Sequence, residues 1–235
     1  MNTNYDGKQN DNLEKLQNLN YSFYQSVKIK DYSRSKNILE EITQVYLNTQ
    51  LNSITTVEGI EAITSSIKGT KQLLSNKESN HNDIIYSVTQ LHLAIDTLTH
   101  KEQPLWHRYY SVVEQDITEI RKTINDSDNN RTEEYIRTFQ DHFNLIKPAI
   151  LVSEQAYLVE NIDSLITALI KQNISPNKDM ILNQLQSSIH QIFYGSEYDT
   201  MGGITIKSFL WKASLLVGLI IFLVLSYVIW RKIKK

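Results

Sequence analysis

The apolar stretch near the carboxyl end, Ala213–Trp230, is the feature that most constrains how this chain can fold. It has no charged residue between Lys212 and Arg231, and as a helix its 18 residues would extend about 27 Å. That length is close to the thickness of the hydrocarbon core of a bilayer. A buried core helix of this length would normally show a polar stripe. We therefore predict a single transmembrane helix at residues 209–230, with a buried hairpin helix as the less favoured alternative.

The residues that flank this stretch indicate its orientation. Trp211, Tyr227 and Trp230 lie at its two ends, where amphipathic rings prefer the headgroup level of a bilayer. Arg231 and Lys232 begin a basic tail at residues 231–235. By the positive-inside rule, this tail is expected in the cytoplasm and the larger part of the chain outside it.

The amino-terminal residues 1–11 leave the topology open. They are polar and rich in Asn and Asp, and we expect them to be disordered. They contain no apolar segment of the kind that a signal peptide needs. Either a leader is missing from this chain, or the protein is tail-anchored with its domain in the cytoplasm.

The composition favours an all-α domain in front of the anchor. The chain has only three Pro and seven Gly, and its apolar residues recur at spacings of three and four. The absence of Cys excludes disulfides, thiolate metal sites and cysteine nucleophiles. In residues 1–208, 19 basic residues against 26 acidic ones give a net charge of −7, which disfavours nucleic acid as a partner.

We predict an antiparallel helical bundle of seven or eight helices at residues 12–195, followed by a juxtamembrane linker at residues 196–208. The fourth helix shows the pattern most clearly, with Ile84, Val88, Leu91, Ile95 and Leu98 along one face. The expected boundaries are Asp31 as N-cap of the second helix, Pro104 opening the fifth, Asn130 or Thr132 capping the sixth, Pro148 bending or breaking the chain, and Ser175-Pro176 starting the eighth. No repeat of tetratricopeptide length is found, so a solenoid is not expected.

Signals for catalysis are few. The sequence has no glycine-rich phosphate loop, no HExxH, no GxSxG and no calcium loop. His92, Asp96 and His100 follow one another at steps of four, and this spacing could hold zinc on one flank of the fourth helix. We favour the alternative that they form the polar border of an amphipathic helix. The prediction is therefore a protein without enzymatic activity and without a cofactor or metal.

The most distinctive short motif is Gln103-Pro104-Leu105-Trp106. One interpretation is an exposed aromatic anchor at a helix start, of the kind that protein interfaces use. The other, which we favour, is a Trp buried where two helices meet and held by a rigid turn.

Several segments, taken in order, resemble the sporulation protein YpjB family of spore-forming Firmicutes. The segments that carry the resemblance are Gly59–Ile63, Leu91–Leu98, Gln103–Trp106, Ile146–Ala149 and Ser226–Lys232. The resemblance covers nearly the whole chain from the first helix. It implies a role in sporulation, expression in the mother cell, an extracytoplasmic domain behind a signal peptide, and no established enzymatic activity or catalytic residues.

These observations together predict a membrane-anchored, non-enzymatic protein that acts in endospore formation through a protein partner. The alternative is a tail-anchored adaptor, whose helical domain lies in the cytoplasm. A metal-dependent enzyme that uses His92, Asp96 and His100 is the less favoured third interpretation.

Overall fold

A computed structural model describes residues 3–171 and 175–195 of the chain. The α-helices in these ranges are α1 Thr3–Lys28, α2 Tyr32–Leu47, α3 Val57–Ser75, α4 His81–Thr99, α5 Tyr110–Asn125, α6 Asn129–Val152, α7 Ala156–Lys171 and α8 Ser175–Tyr194. Short 3₁₀ helices occupy Leu51–Ser53 and Leu105–Tyr109. Within the described ranges there are eight α-helices and no strand, which confirms the all-α prediction.

Three predicted segments lie outside the described residues. They are the linker at residues 196–208, the transmembrane helix at 209–230 and the basic tail at 231–235. Among the helices that are described, none is long and apolar enough to cross a membrane. Residues 3–171 and 175–193 form one compact unit.

Consecutive helices run in opposite directions. The side-chain amide of Asn12 near the start of α1 donates to the carbonyl of Asn48 just after α2, at 3.0 Å. At the other end of the bundle, the Tyr32 hydroxyl at the start of α2 lies 2.8 Å from Nδ1 of His81 at the start of α4. This up-and-down order results from the short connections between the helices.

The buried apolar side chains form two separate cores, one in each half of the described chain. The first lies almost entirely among α1–α4, and the second mainly among α5–α8. Leu93 of α4 belongs to the second core and Val152 of α6 belongs to the first. The halves therefore meet where α6 packs against α3 and α4.

The α1–α2 and α5–α6 turns have the same construction. Lys30 and Ser127 each adopt a positive φ, of 61° and 55°. The next residue, Asp31 or Asp128, accepts a hydrogen bond from the backbone N–H three positions later and caps the following helix. Asp31 is thus the N-cap that the sequence predicts, whereas the cap of α6 is Asp128 and neither Asn130 nor Thr132.

Buried pairs of hydroxyl groups fasten three of the hairpins. Their oxygen–oxygen distances are 2.8 Å for Ser26–Ser35 in α1–α2, 2.8 Å for Thr70–Ser87 in α3–α4, and 3.0 Å for Thr123–Thr132 in α5–α6. Each pair satisfies its polar atoms inside the bundle, which avoids the cost of a buried hydroxyl without a partner.

Core positions recur between the two halves, 97 residues apart in the first hairpins and 94 residues apart in α4 and α8. The equivalent buried pairs are Leu16/Val113, Phe23/Ile120, Val27/Ile124, Leu39/Ile136, Ile42/Phe139 and Tyr46/Phe143 for the first hairpins, and Val88/Leu182, Leu91/Leu185, Ile95/Ile189 and Leu98/Ile192 for α4 and α8. Together with the matching turns, these pairs indicate that α5–α6 and α8 repeat the burial pattern of α1–α2 and α4. The side chains differ in kind, so the repeat is visible in the burial pattern and not as a sequence motif.

The amino-terminal end differs from its prediction. Residues 3–11, expected to be disordered, are the start of α1. Polar side chains attach this segment to the α2–α3 connection, since the Gln9 amide donates to Oγ of Ser53 at 3.0 Å and Asn12 donates to the carbonyl of Asn48. Residues 3–11 have few apolar side chains to pack on the bundle, and these hydrogen bonds attach the segment instead.

Pro148 neither ends nor breaks the sixth helix, which continues through it to Val152. Proline has no N–H, so the carbonyl of Asn144, four residues earlier, loses its helical partner. The side-chain amide of Gln90 on α4 donates to this carbonyl at 2.9 Å. A donor from a neighbouring helix thus replaces the missing backbone bond, and the predicted break does not occur.

This replacement predicts a coupling between Gln90 and Pro148. In the wild-type chain, Gln90→Ala should lower the free energy of unfolding by about 1–2 kcal/mol, because the Asn144 carbonyl loses its donor. In a Pro148→Ala background, the same change should cost less than about 0.5 kcal/mol, because the restored N–H reaches that carbonyl. Thermal melts of the four variants by circular dichroism measure the coupling, and equal losses in both backgrounds would contradict it.

Candidate functional site

A cleft lies at the junction of the two halves. It has a volume of about 680 Å³ between α3 and α6, with α4 as its floor and the start of α7 at its side. The lining residues are Glu58, Glu61, Ala62, Ser65, Ser66, Gly69, Tyr86, Ser87, Gln90, Asn144, Lys147, Pro148, Leu151, Ala156 and Glu160. We name this feature the junction cleft.

Two glycines of α3 show how the cleft opens. A Cβ on Gly59 would come within 3.0 Å of the Cα of Val152 and would also collide with Oγ1 of Thr55. A Cβ on Gly69 would meet nothing within 4 Å. Helices α3 and α6 therefore touch at Gly59 and leave space between them near Gly69.

Hydrogen bonds fix the α2–α3 segment beside the Gly59 contact, next to the narrow end of the junction cleft. The Thr55 hydroxyl donates to the Val152 carbonyl at 2.7 Å, and Nζ of Lys101 donates to the Ile54 carbonyl at 2.7 Å. Both contacts connect the α2–α3 segment to later parts of the chain, so this end is fixed in place.

The floor of the cleft is fixed by side chains of α4 that donate to the backbone of α6. The Tyr86 hydroxyl donates to the Asp141 carbonyl at 2.8 Å, and Gln90 donates to the Asn144 carbonyl. Burial, with a smaller effect of Asp141, raises the pKa of Tyr86 to about 12. The phenol therefore remains a hydrogen-bond donor throughout the physiological pH range.

The walls of the cleft carry mostly negative charge. Glu58 and Glu61 of α3 and Glu160 of α7 are exposed at its edge. Its one lining cation, Lys147, lies 2.5 Å from Oδ2 of Asp163, so that charge is already neutralised. The Glu58 backbone N–H, followed by the Thr56 side chain, lowers the pKa of Glu58.

The three residues weighed as a zinc site do not come together. Asp96 is only 6% exposed, and its carboxylate is 2.8 Å from Nδ1 of His100 and accepts a bond from the Leu105 N–H at 2.7 Å. His92 instead stacks on Tyr24, with ring centroids 4.6 Å apart. In residues 3–171 and 175–195, no group of three or more His, Asp or Glu side chains is placed to hold a metal ion.

The Gln103–Trp106 motif forms a corner between the halves. Pro104 precedes the 3₁₀ helix Leu105–Tyr109, so the fifth α-helix begins at Tyr110 and not at the proline. Trp106 is 1% exposed and its ring centroid lies 4.9 Å from that of Phe193. The motif therefore holds a buried Trp, and Gln103 is its exposed member.

The remaining candidates concern the membrane and the histidines. The expected membrane-interface residues lie outside the described part of the chain; they are Trp211, Tyr227, Trp230, Arg231 and Lys232.

Histidine–carboxylate contacts join other helices. Nδ1 of His142 on α6 is 2.7 Å from Asp116 on α5, and Nε2 of His190 on α8 is 3.0 Å from Glu114 on α5. Burial raises the pKa of Asp116, and the hydrogen bond from His142 opposes this effect.

The family model described as sporulation protein YpjB (SpoYpjB) matches residues 13–235, which is most of the chain. The chain belongs to the sporulation protein YpjB family. This confirms the resemblance drawn from the sequence. Comparisons with curated proteins and with solved structures gave no match.

In this YpjB family member, sequence reasoning missed the junction cleft. The available signal was the spacing of small residues along α3, where Gly59, Ala62, Ser66 and Gly69 recur at three and four positions. Small residues at this spacing permit close helix packing, and of the two glycines Gly59 serves it while Gly69 does not. The open space at Gly69 depends on α6 and α7, which follow much later in the sequence.

Burial of His92 predicts that this YpjB protein loses stability on acidification. Burial lowers the pKa of His92, with Asp96 opposing the effect, and Nδ1 of His92 has no hydrogen-bond partner in the structure as described. Below pH of about 6.5, the unfolded chain therefore takes up a proton that the folded chain refuses, and stability falls by at most about 1.4 kcal/mol per pH unit for this group.

Melting curves between pH 7.5 and 5.5 test this expectation. The His92→Gln variant should lose less stability than the wild type over that interval, because glutamine does not titrate. His81→Gln, at the other end of α4, is the matched control. An unchanged slope in His92→Gln would show that other groups cause the pH dependence.

Proposed function

We propose that this chain is a membrane-anchored, non-enzymatic protein of endospore formation whose helical unit binds a protein partner in the junction cleft. The observation that carries the proposal is the preformed cleft between the two halves. Its volume of about 680 Å³ is within the range of ligand pockets. Its floor and narrow end are fixed by hydrogen bonds, so little ordering is needed on binding.

Family membership supports the role in sporulation. The finer parts of the proposal are expression in the mother cell and an extracytoplasmic helical domain. The support for the anchor is the uncharged stretch Ala213–Trp230, and the support for its orientation is the basic tail at residues 231–235. A tail-anchored cytoplasmic adaptor is the competing topology.

Site-specific photo-crosslinking in sporulating cells tests the binding function. A photoreactive amino acid replaces Ser65 in the cleft, and the matched control replaces Ser33, an exposed serine of α2 outside it. We expect a discrete crosslinked protein from position 65 and not from position 33. Equal crosslinking from both positions, or none from position 65, would refute a partner in the cleft.

The absence of Cys in the chain permits a direct test of topology. Single replacements Ser33→Cys and Lys235→Cys are exposed to a membrane-impermeant maleimide in intact protoplasts. The proposal expects labelling at position 33 only, with the chain retained in membranes after alkaline extraction. Labelling of neither position before lysis would favour the cytoplasmic adaptor, and release by alkali would remove the anchor.

A further inference from the structure

We infer that the junction cleft binds a cationic segment of the partner, in which Lys or Arg side chains accompany small apolar ones. The inference rests on the proposed function, because it names the chemistry of the partner in that same cleft. It is argued from the charge and the shape of the walls.

The charges on the two sides of the cleft are unbalanced. Glu61 on α3 and Glu160 on α7 are exposed, and neither carboxylate has a hydrogen-bond or ion-pair partner among the described residues. Lys147, which lies between these walls, is paired with Asp163. A cation that enters the cleft therefore finds free carboxylates on both sides, while an anionic ligand would be repelled.

The shape of the cleft suits the same kind of segment. Its lining includes Ala62, Gly69, Pro148, Leu151 and Ala156, which present little more than carbon atoms and backbone, beside polar side chains such as Ser65, Ser66 and Gln90. The aliphatic stems of Lys and Arg cover apolar surface while their charged ends remain at the edge. The carboxylates of Glu61 and Glu160 are at that edge, where charged ends of this kind would meet them.

The test uses the full chain, purified in detergent, and two fluorescein-labelled peptides. One repeats Ala-Ala-Lys-Ala and the other repeats Ala-Ala-Glu-Ala. Fluorescence anisotropy at low salt should give at least about tenfold tighter binding of the lysine peptide, with the preference weakening as salt increases. Equal affinity for the two peptides would overturn the inference.

Three variants locate the binding. The Glu61→Gln/Glu160→Gln double variant should weaken binding of the lysine peptide about tenfold, while Glu41→Gln/Glu134→Gln, which removes the same charge from exposed sites elsewhere, should change it less than about twofold. Gly69→Leu should also weaken binding, because its side chain enters the cleft. An equal loss in both double variants would indicate only the overall negative field and would overturn the inference.

Other outcomes separate this inference from the function on which it rests. Crosslinking from Ser65 together with no preference for the lysine peptide would refute the cationic partner and retain the binding function. Self-association that is lost in Glu61→Gln/Glu160→Gln would overturn the inference in favour of a second copy of this chain. If position 65 gave no crosslink but the lysine peptide were still preferred, the proposed function in cells would be refuted. The inference that the cleft selects cations would stand.

Discussion

Replacing Gly59 by alanine is expected to lower the free energy of unfolding by about 2 kcal/mol, which is a drop of about 4–8 °C in Tm. The new Cβ would be 3.0 Å from the Cα of Val152, a backbone atom that cannot move aside alone. It would also displace Oγ1 of Thr55 from its bond to the Val152 carbonyl. The loss of that bond adds to the overpacking and outweighs the gain of about 1 kcal/mol that alanine brings to a helix.

Gly69 is the matched control in the same helix. Nothing lies within 4 Å of the Cβ that alanine would add there, so Gly69→Ala should raise stability by about 0.5–1 kcal/mol. Thermal and urea unfolding of both variants measure the contrast. If both substitutions shifted stability in the same direction, close packing of α3 on α6 at Gly59 would not be the reason for that glycine.

The helices and their buried faces could be predicted from the sequence because each is determined locally. In α4, the predicted seam follows steps of four and three, and its five members, Ile84, Val88, Leu91, Ile95 and Leu98, are all buried. Asp31 caps α2 because a carboxylate at that position satisfies the first free N–H groups, a rule that needs no tertiary contact. The same local rule does not choose between capping residues that lie close together. The predicted cap of α6, Asn130 or Thr132, was therefore wrong, and Asp128 is the cap.

Features that depend on distant residues could not be predicted. Pro148 alone predicts a bend or break, and the residue that keeps α6 intact, Gln90, is on another helix. The helical state of residues 3–11 depends on acceptors beyond α2. The junction cleft likewise needs α3, α6 and α7 in their final positions, so its acidic and small residues appear scattered in the sequence.

Replacing Trp106 by alanine is expected to lower the free energy of unfolding by about 4 kcal/mol. The indole is almost fully buried in the core of α5–α8, against Phe193 and the edge of His107. Its removal leaves a cavity at the corner where the chain passes from one half to the other. Because the Leu105 N–H bond to Asp96 holds this corner from the other side, the surroundings cannot easily collapse into the space.

Trp106→Phe separates the packing of this side chain from its polar group. The indole Nε1 has no hydrogen-bond partner in the described part of the chain, so losing its N–H should cost nothing in hydrogen bonding. We expect this variant to lose only about 1–2 kcal/mol, from the smaller ring. An exposed interface anchor would behave in the opposite way, with Trp106→Ala leaving the melting temperature unchanged and abolishing crosslinking from Ser65. Because the Trp106 ring is 1% exposed, a loss of stability in the alanine variant, largely recovered by phenylalanine, follows from burial alone.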